Sequence, residues 1–289
     1  MNAFETFQVQ ARCPGQSKSK RRNCRFDLTG SVITSSEPIH VFSGNVRTFI
    51  ETGEGLSRDH LVEELVPVDR WGKEFGFVSI PGRVVGDLLS VMAVKGETTT
   101  VTLYSENFGD ETEETFTLPT ADGKVHMYKQ LPSAQRYFLK SDKPLSVTQL
   151  TKSMDTYLYR NESYHDPASI TVPPIEQFTN NFFISTPLFT GGENFQLQPY
   201  HTNLALLVAE NGQEDLIRLD GQPLEDFEIP WGPLPGGNRN NLVAAVIVIP
   251  HGTHLINSSE GNFQCLIYGF DDRETYGFPA AMNLKAINN

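Results

Sequence analysis

Long apolar runs are missing from this chain. The longest, Leu242 to Pro250, has the length of a strand, well short of the roughly 18 apolar residues a membrane-spanning helix needs. Helical periodicity is missing as well. No window of 12 or more residues keeps its apolar side chains at 3.6-residue spacing, so helix should be scarce. Basic charge is in deficit: 23 Lys and Arg face 35 Asp and Glu, for a net charge of −12. A polyanion would be repelled over most of such a surface, which argues against nucleic acid as partner. Cysteine is limited to Cys13, Cys24 and Cys265. The first ten residues, Met1 to Gln10, contain no apolar core of a secretory leader. Gly-x-Ser-x-Gly, His-Glu-x-x-His and a phosphate-cradling glycine loop before a helix are all absent, so none of the common catalytic signatures is present.

What the chain does have is punctuation. Its 289 residues contain 23 Gly and 18 Pro with 38% hydrophobic residues, the mixture of a globular protein made of many short strands and turns. Strands are expected at Thr98 to Leu103, Asn203 to Val208, Leu216 to Leu219, Leu242 to Ile249, Thr253 to Ile256 and Phe263 to Phe270, with Asp220-Gly221 as a hairpin turn. Glu106 to Glu114, Met154 to His165 and Pro230 to Asn241 read as long polar or glycine- and proline-rich loops, the places where a β scaffold presents a ligand surface.

Self-comparison adds a repeat. Pro67-Val68-Asp69-Arg70-Trp71-Gly72-Lys73-Glu74-Phe75 aligns with Pro174-Ile175-Glu176-Gln177-Phe178-Thr179-Asn180-Asn181-Phe182 at a shift of 107 residues, and Asp59 then falls on Asp166. Ser36 to Val41 matches Asp142 to Val147 at a shift of 106. The tail strands Thr253 to Ile256 and Phe263 to Phe270 resemble Tyr137 to Leu139 and Leu145 to Leu150. A repeat of that size suits a β-sandwich domain. Proline two residues before an acid suits the first turn of a short helix, which Gly72 could stop at once. Trp71 and Phe178 should then drop into the core beside Phe75 and Phe182, and the segments before Pro38 and Pro144 should be tight turns leading into strands.

Few residues offer chemistry. Asp59-His60 looks like a dyad, but the second copy keeps only the acid, before Pro167, so a turn or cap role is expected. His251-Gly252-Thr253-His254 could offer two metal ligands, yet no acid or Cys accompanies them at ligand spacing; a turn with two exposed imidazoles is expected. Asp271 to Glu274 lacks a calcium-loop pattern. Asn161-Glu162-Ser163 and Asn257-Ser258-Ser259 are N-glycosylation sequons. Cys13 and Cys24 flank a basic stretch, Lys18 to Arg25, and a bridge would close a short loop; Cys265 lies in an apolar strand and should be a buried free thiol.

Several segments carry a family resemblance. Pro38 to Asn45 resembles "PIAVFSGN" of the IgG Fc-binding protein N-terminal domain family, and Asp59 to Phe75 resembles its "DHLVEQLPPVxxWGKEF". Gly86-Asp87, Thr98 to Thr102, Ser141 to Pro144, Asp166 to Asn181 and the closing Tyr268-Gly269-Phe270 with Tyr276 to Pro279 are similar to further family segments, in family order over roughly residues 26 to 280. The resemblance implies a secreted, mucus- or matrix-associated protein, a β-rich portion preceding this chain, and a scaffold rather than a particular ligand. Family members carry cysteines where this chain has Val46-Arg47 and Ser57-Arg58. That departure puts a family disulfide in doubt and leaves Cys13–Cys24 as the bridge to expect.

The expectation is an all-β protein of tandem β-sandwich-like repeats of about 106 residues with little helix: a partial strand pair and basic loop over 1–34, a first repeat over 35–140 and a second over 141–289. Its function should be that of a secreted, non-catalytic protein-binding or adhesion module with a protein or glycoprotein ligand, no cofactor and no metal. A carbohydrate-binding module is the alternative, and a β-sandwich hydrolase a more distant one.

Overall fold

The computed structural model describes residues 5–11, 28–50, 58–83, 86–107, 109–153, 166–191, 196–271 and 274–288. Its strands are β1 (Phe42–Thr48), β2 (Asp59–Glu64), β3 (Gly72–Val78), β4 (Asp87–Ala93), β5 (Thr99–Asn107), β6 (Asp110–Leu118), β7 (His126–Leu131), β8 (Arg136–Thr151), β9 (Ser169–Thr171) and β10 (Asn181–Ser185). They continue as β11 (Leu188–Gly191), β12 (Gln196–Pro199), β13 (Thr202–Glu210), β14 (Ile217–Leu219), β15 (Gln222–Pro223), β16 (Phe227–Pro233), β17 (Leu242–Val248), β18 (Thr253–Ser258), β19 (Phe263–Asp271) and β20 (Glu274–Pro279). All their pairings are antiparallel, and the helices among the described residues are 3₁₀ turns of three residues. The all-β expectation holds.

The sheets stack in four layers. β8 is long enough to serve two of them: Tyr137 to Ser141 pair with β5, and Leu145 to Thr151 pair with β4. Phe75, Phe77, Val101, Leu103, Tyr137 and Leu139 from one layer close on Leu89, Val91, Leu131, Leu145 and Val147 from the other. A second pair of layers is built from β16-β17-β13-β19-β20 and β10-β18-β14-β15. Phe182, Ile184, Ile217 and Ile256 there meet Ala205, Leu207, Ile247, Cys265 and Ile267. Between the two pairs lies a third core, in which Val78, Tyr104 and Phe138 meet Leu204, Leu206, Val208, Ala244, Val246 and Leu266.

That stacking explains the apolar runs. Even-numbered residues of β13 face the middle core and odd-numbered ones face the outer core, so a strand buried on both faces has no polar alternation to show. Each leucine or valine among them contributes about 1.5–3 kcal/mol on burial. The two halves also share a pairing scheme. β4 lies between β7 and the second part of β8, as β13 lies between β17 and β19; β3 and β5 flank the first part of β8, as β10 and β14 flank β18. The expected boundary at 140/141 falls inside β8.

Three local expectations are corrected. Glu106 to Glu114 is not a loop: β6 begins at Asp110 and pairs with β5 in unbroken register. Its run of acids suits an exposed edge strand, where charge discourages further pairing. Pro230 to Asn241 is partly strand, since β16 runs to Pro233. Its prolines are tolerated because β16 is an edge strand with two register shifts against β17. Asp142-Lys143-Pro144 is no turn before a new strand; it lies within β8, where the strand exchanges β5 for β4 as partner. Pro144, lacking an N–H, costs least at such a change of partner. Asp220-Gly221 does form the expected hairpin turn, with φ of 53° and 80° at its two central residues, the pair of left-handed conformations that Asp-Gly accepts most readily.

Candidate functional site

The two proline-led segments fold alike. Val68–Arg70 and Ile175–Gln177 are both single 3₁₀ turns, preceded by Pro67 and Pro174 and followed by Trp71 and Phe178. Phe178 is buried in the middle core, Phe182 in the outer one and Phe75 in the first sandwich. Trp71 is half-buried, its Nε1 donating to Val66 O at 2.9 Å. Gly72 does not stop its turn by a left-handed conformation. It opens β3, and a Cβ there would lie 2.3 Å from Pro174 Cβ, so the absence of a side chain lets the two turns touch. Glu176 of the second turn accepts from Lys73 N at 3.0 Å. Gln177, fully buried, donates to Arg70 O and Lys285 O and accepts from Lys285 N. The segment Asn283 to Asn288 thereby straps both turns, with Ile287 N and Asn288 N donating to Asp69 O.

Under the middle core lies a polar cluster. Arg83 Nη1 donates to Tyr268 Oη at 2.7 Å and Nη2 to Lys152 O, while Nε stands 3.9 Å from Asp87 Oδ1. Asp87 Oδ2 accepts from Ile80 N and Gln149 Nε2, both at 2.8 Å. Burial raises the Asp87 carboxyl above the usual carboxylate range, opposed first by the Arg83 charge. Arg83 and Asp87 are both essentially inaccessible, so the cluster joins strands from both halves rather than meeting a solute.

The histidine turn is also corrected. His254 is buried, not exposed: its Nδ1 lies 2.8 Å from Asp220 Oδ2 and its Nε2 lies 3.0 Å from Pro250 O. The acid absent from the sequence neighbourhood arrives through the β14–β15 hairpin, and the bond to His254 holds Asp220 below the usual carboxylate range. His251 stays exposed, its Nδ1 3.0 Å from Thr186 Oγ1. Asp271 accepts from His201 N. Asp166 is buried, and Asp59 begins β2, accepting from His60 N at 2.6 Å. Cys265 is a buried free thiol whose ionisation burial pushes upward. Cys13, Cys24, Asn161 and the basic stretch lie outside the described residues.

Among the described residues, the β1–β2 ribbon also presents apolar side chains to solvent. Phe42 pairs with Glu64 and Gly44 with Val62. The outward face bears Phe42, 65% exposed, Val46, 76%, and Val62, 52%, with His60 and Glu64 beside them and His40 Nδ1 2.5 Å from Glu64 Oε1. The other face of β2 leans on the body: Glu63 Oε2 accepts from Thr171 Oγ1 at 3.0 Å. Burial pushes the Glu63 carboxyl up to about 7. Asp59 and Glu274 are raised as well, first by burial, and Glu274 next by the charges of Asp59 and Asp271. No sequence signal separated this ribbon from the strands that follow.

Layered antiparallel sheets, polar residues spent on joining strands, and an apolar ribbon turned to solvent define an all-β protein of stacked sheets. More particularly, the chain belongs to the IgGFc-binding family: the family model described as "IgGFc binding protein" matches residues 1–269. It is 24% identical over 210 residues to the IgGFc-binding protein of Homo sapiens, an alignment covering 73% of this chain and 3% of that protein. The chain thus spans a small fraction of the relative's length. No solved structure matches it. Among the described residues, no helix is long and apolar enough to cross a membrane.

Proposed function

We propose that this chain is an extracellular, non-catalytic protein-binding module with an adhesive or scaffolding role, and that the outward face of the β1–β2 ribbon is its contact surface. The observation that carries the reading is the exposure of Phe42, Val46 and Val62 together on one two-stranded ribbon. Aromatic and aliphatic side chains gathered on an exposed strand face favour contact with another protein, by side-chain packing and by pairing at the strand edge. The family supports a protein ligand, and the acidic balance of −12 disfavours nucleic acid. A Cys13–Cys24 bridge and glycans at Asn161 and Asn257 belong to the same extracellular reading. We also propose a division into two sandwich units that falls after β9, which pairs with β8, and not at 140, because β8 is continuous.

The test is direct binding of the chain to immobilised immunoglobulin Fc and to purified secreted mucus glycoproteins, comparing wild type with the double variant Phe42→Asp, Val62→Asp. Affinity for the ligand found should fall at least about tenfold, the loss of one to two apolar anchors, with the unfolding midpoint unchanged. Equal binding by the variant would remove the ribbon from the contact. Failure to bind any protein of either class would overturn the reading as a whole.

A further inference from the structure

We propose that Asn257 carries an N-linked glycan whose first sugar lies over Phe183 and Leu255; this rests on the extracellular reading above. β18 turns Thr253, Leu255 and Asn257 outward, while His254, Ile256 and Ser258 are buried. Its neighbour β10 does the same with Asn181, Phe183 and Ser185. In register, Phe183 stands opposite Leu255 and Asn181 opposite Asn257. Asn257 and Phe183 are therefore diagonal neighbours on one face, a separation long side chains and attached groups can bridge.

Phe183 is 79% exposed, on the water-facing side of an outermost sheet. A large ring left bare there invites association with other chains. The sequon Asn257-Ser258-Ser259 lies beside it on the same face, with Ser259 exposed. An N-acetylhexosamine presents a face of C–H groups that packs on an aromatic ring, while its hydroxyls keep their water. A glycan held at Asn257 therefore covers apolar surface without needing a protein partner. In the attachment step Asn257 Nδ2 bonds to the anomeric carbon of a lipid-diphosphate-linked oligosaccharide. The carbon–oxygen bond to the diphosphate breaks, the lipid diphosphate leaves and one amide proton is released. Because β18 is paired on both sides, with β10 and β14, attachment precedes closure of the sheet.

The experiment expresses the chain in mammalian cells behind a heterologous signal peptide and collects it from the medium. Glycosidase release in heavy-oxygen water converts an occupied Asn257 to a heavy aspartate, which peptide mass spectrometry reads. The expected result is the mark at 257 in wild type and its loss in Asn257→Gln. An unmarked peptide from secreted material overturns the site. Because secreted chain has passed the glycosylating compartment, that outcome leaves the extracellular reading intact; the native full-length protein remaining inside its own cells would overturn that reading instead. For the contact, enzymatic removal of the glycan should lower the melting temperature by about 2 °C in wild type and leave Phe183→Ala unchanged. An equal drop in both would show that the sugar does not rest on the ring.

Discussion

Replacing Glu63 by Gln should strengthen the docking of the β1–β2 ribbon at neutral pH and remove most of its pH dependence. Glu63 accepts a hydrogen bond from Thr171 while burial raises its carboxyl from the ordinary 4.5 to about 7. Below pH 4.5 the docked and undocked forms are both protonated, and the group contributes nothing to pH dependence. As pH rises from 4.5, the undocked carboxyl ionises while the docked one stays neutral, so docking weakens until about pH 7 and then levels off. A shift of that size corresponds to at most roughly 3.5 kcal/mol at about 1.4 kcal/mol per unit. Asp59 and Glu274, also raised by burial, act in the same direction. Gln keeps an oxygen for the Thr171 hydroxyl and carries no charge. Hydrogen exchange of the β1 and β2 amides, compared at pH 5 and pH 8 after correction for intrinsic exchange, should show protection falling at the higher pH in wild type. The fall should be much smaller in Glu63→Gln. Equal pH dependence in both proteins, or rising protection towards pH 8, would refute the reasoning.

Two further outcomes follow from the interior. Arg83→Met should cost about 3–5 kcal/mol in denaturant unfolding, because it takes from the buried Asp87 the stronger of the two cations that act on it, leaving Lys152. The double variant Arg83→Met, Asp87→Leu should cost clearly less than the single one, and a larger loss would show that the pair itself is the stabilising element. Gln177→Ala should loosen the C-terminal strap, removing its bonds to Arg70 and Lys285 at about 2 kcal/mol. Proteolysis near Lys285 should accelerate with little change at β17, and unchanged cleavage would count against the strap.

Much of the fold is legible in the chain, because strand chemistry is local. The β-branched Thr99 to Val101, the Asp220-Gly221 turn and the apolar runs of β13, β17 and β19 announce themselves. The recurring Pro-x-Asp and Pro-x-Glu segments announce paired turns, and both fold as single 3₁₀ turns. Where reading the chain failed, a partner from far away decided. Pro230 and Pro233 look like loop formers, yet Arg136 reaches Ala244 O and Pro230 O and an edge position accommodates their missing donors. The acids of β6 look like a loop until β5 pairs with them along their length.

The candidate surface was less legible still. Alternation along β2 shows that it has two faces, but not that one is turned to solvent; that depends on β9 and Thr171, 108 residues from Glu63. His254 reads as an exposed imidazole until the hairpin brings Asp220 from 34 residues away. The sequence by itself determined the strand-rich class, the apolar strands β13, β17 and β19, the Asp220-Gly221 turn and the acidic balance, since these follow from each residue's own backbone preference and polarity. Only the tertiary structure decided which strand faces stack into cores and which stay bare, because burial is a property of two surfaces meeting and no single stretch of chain contains both.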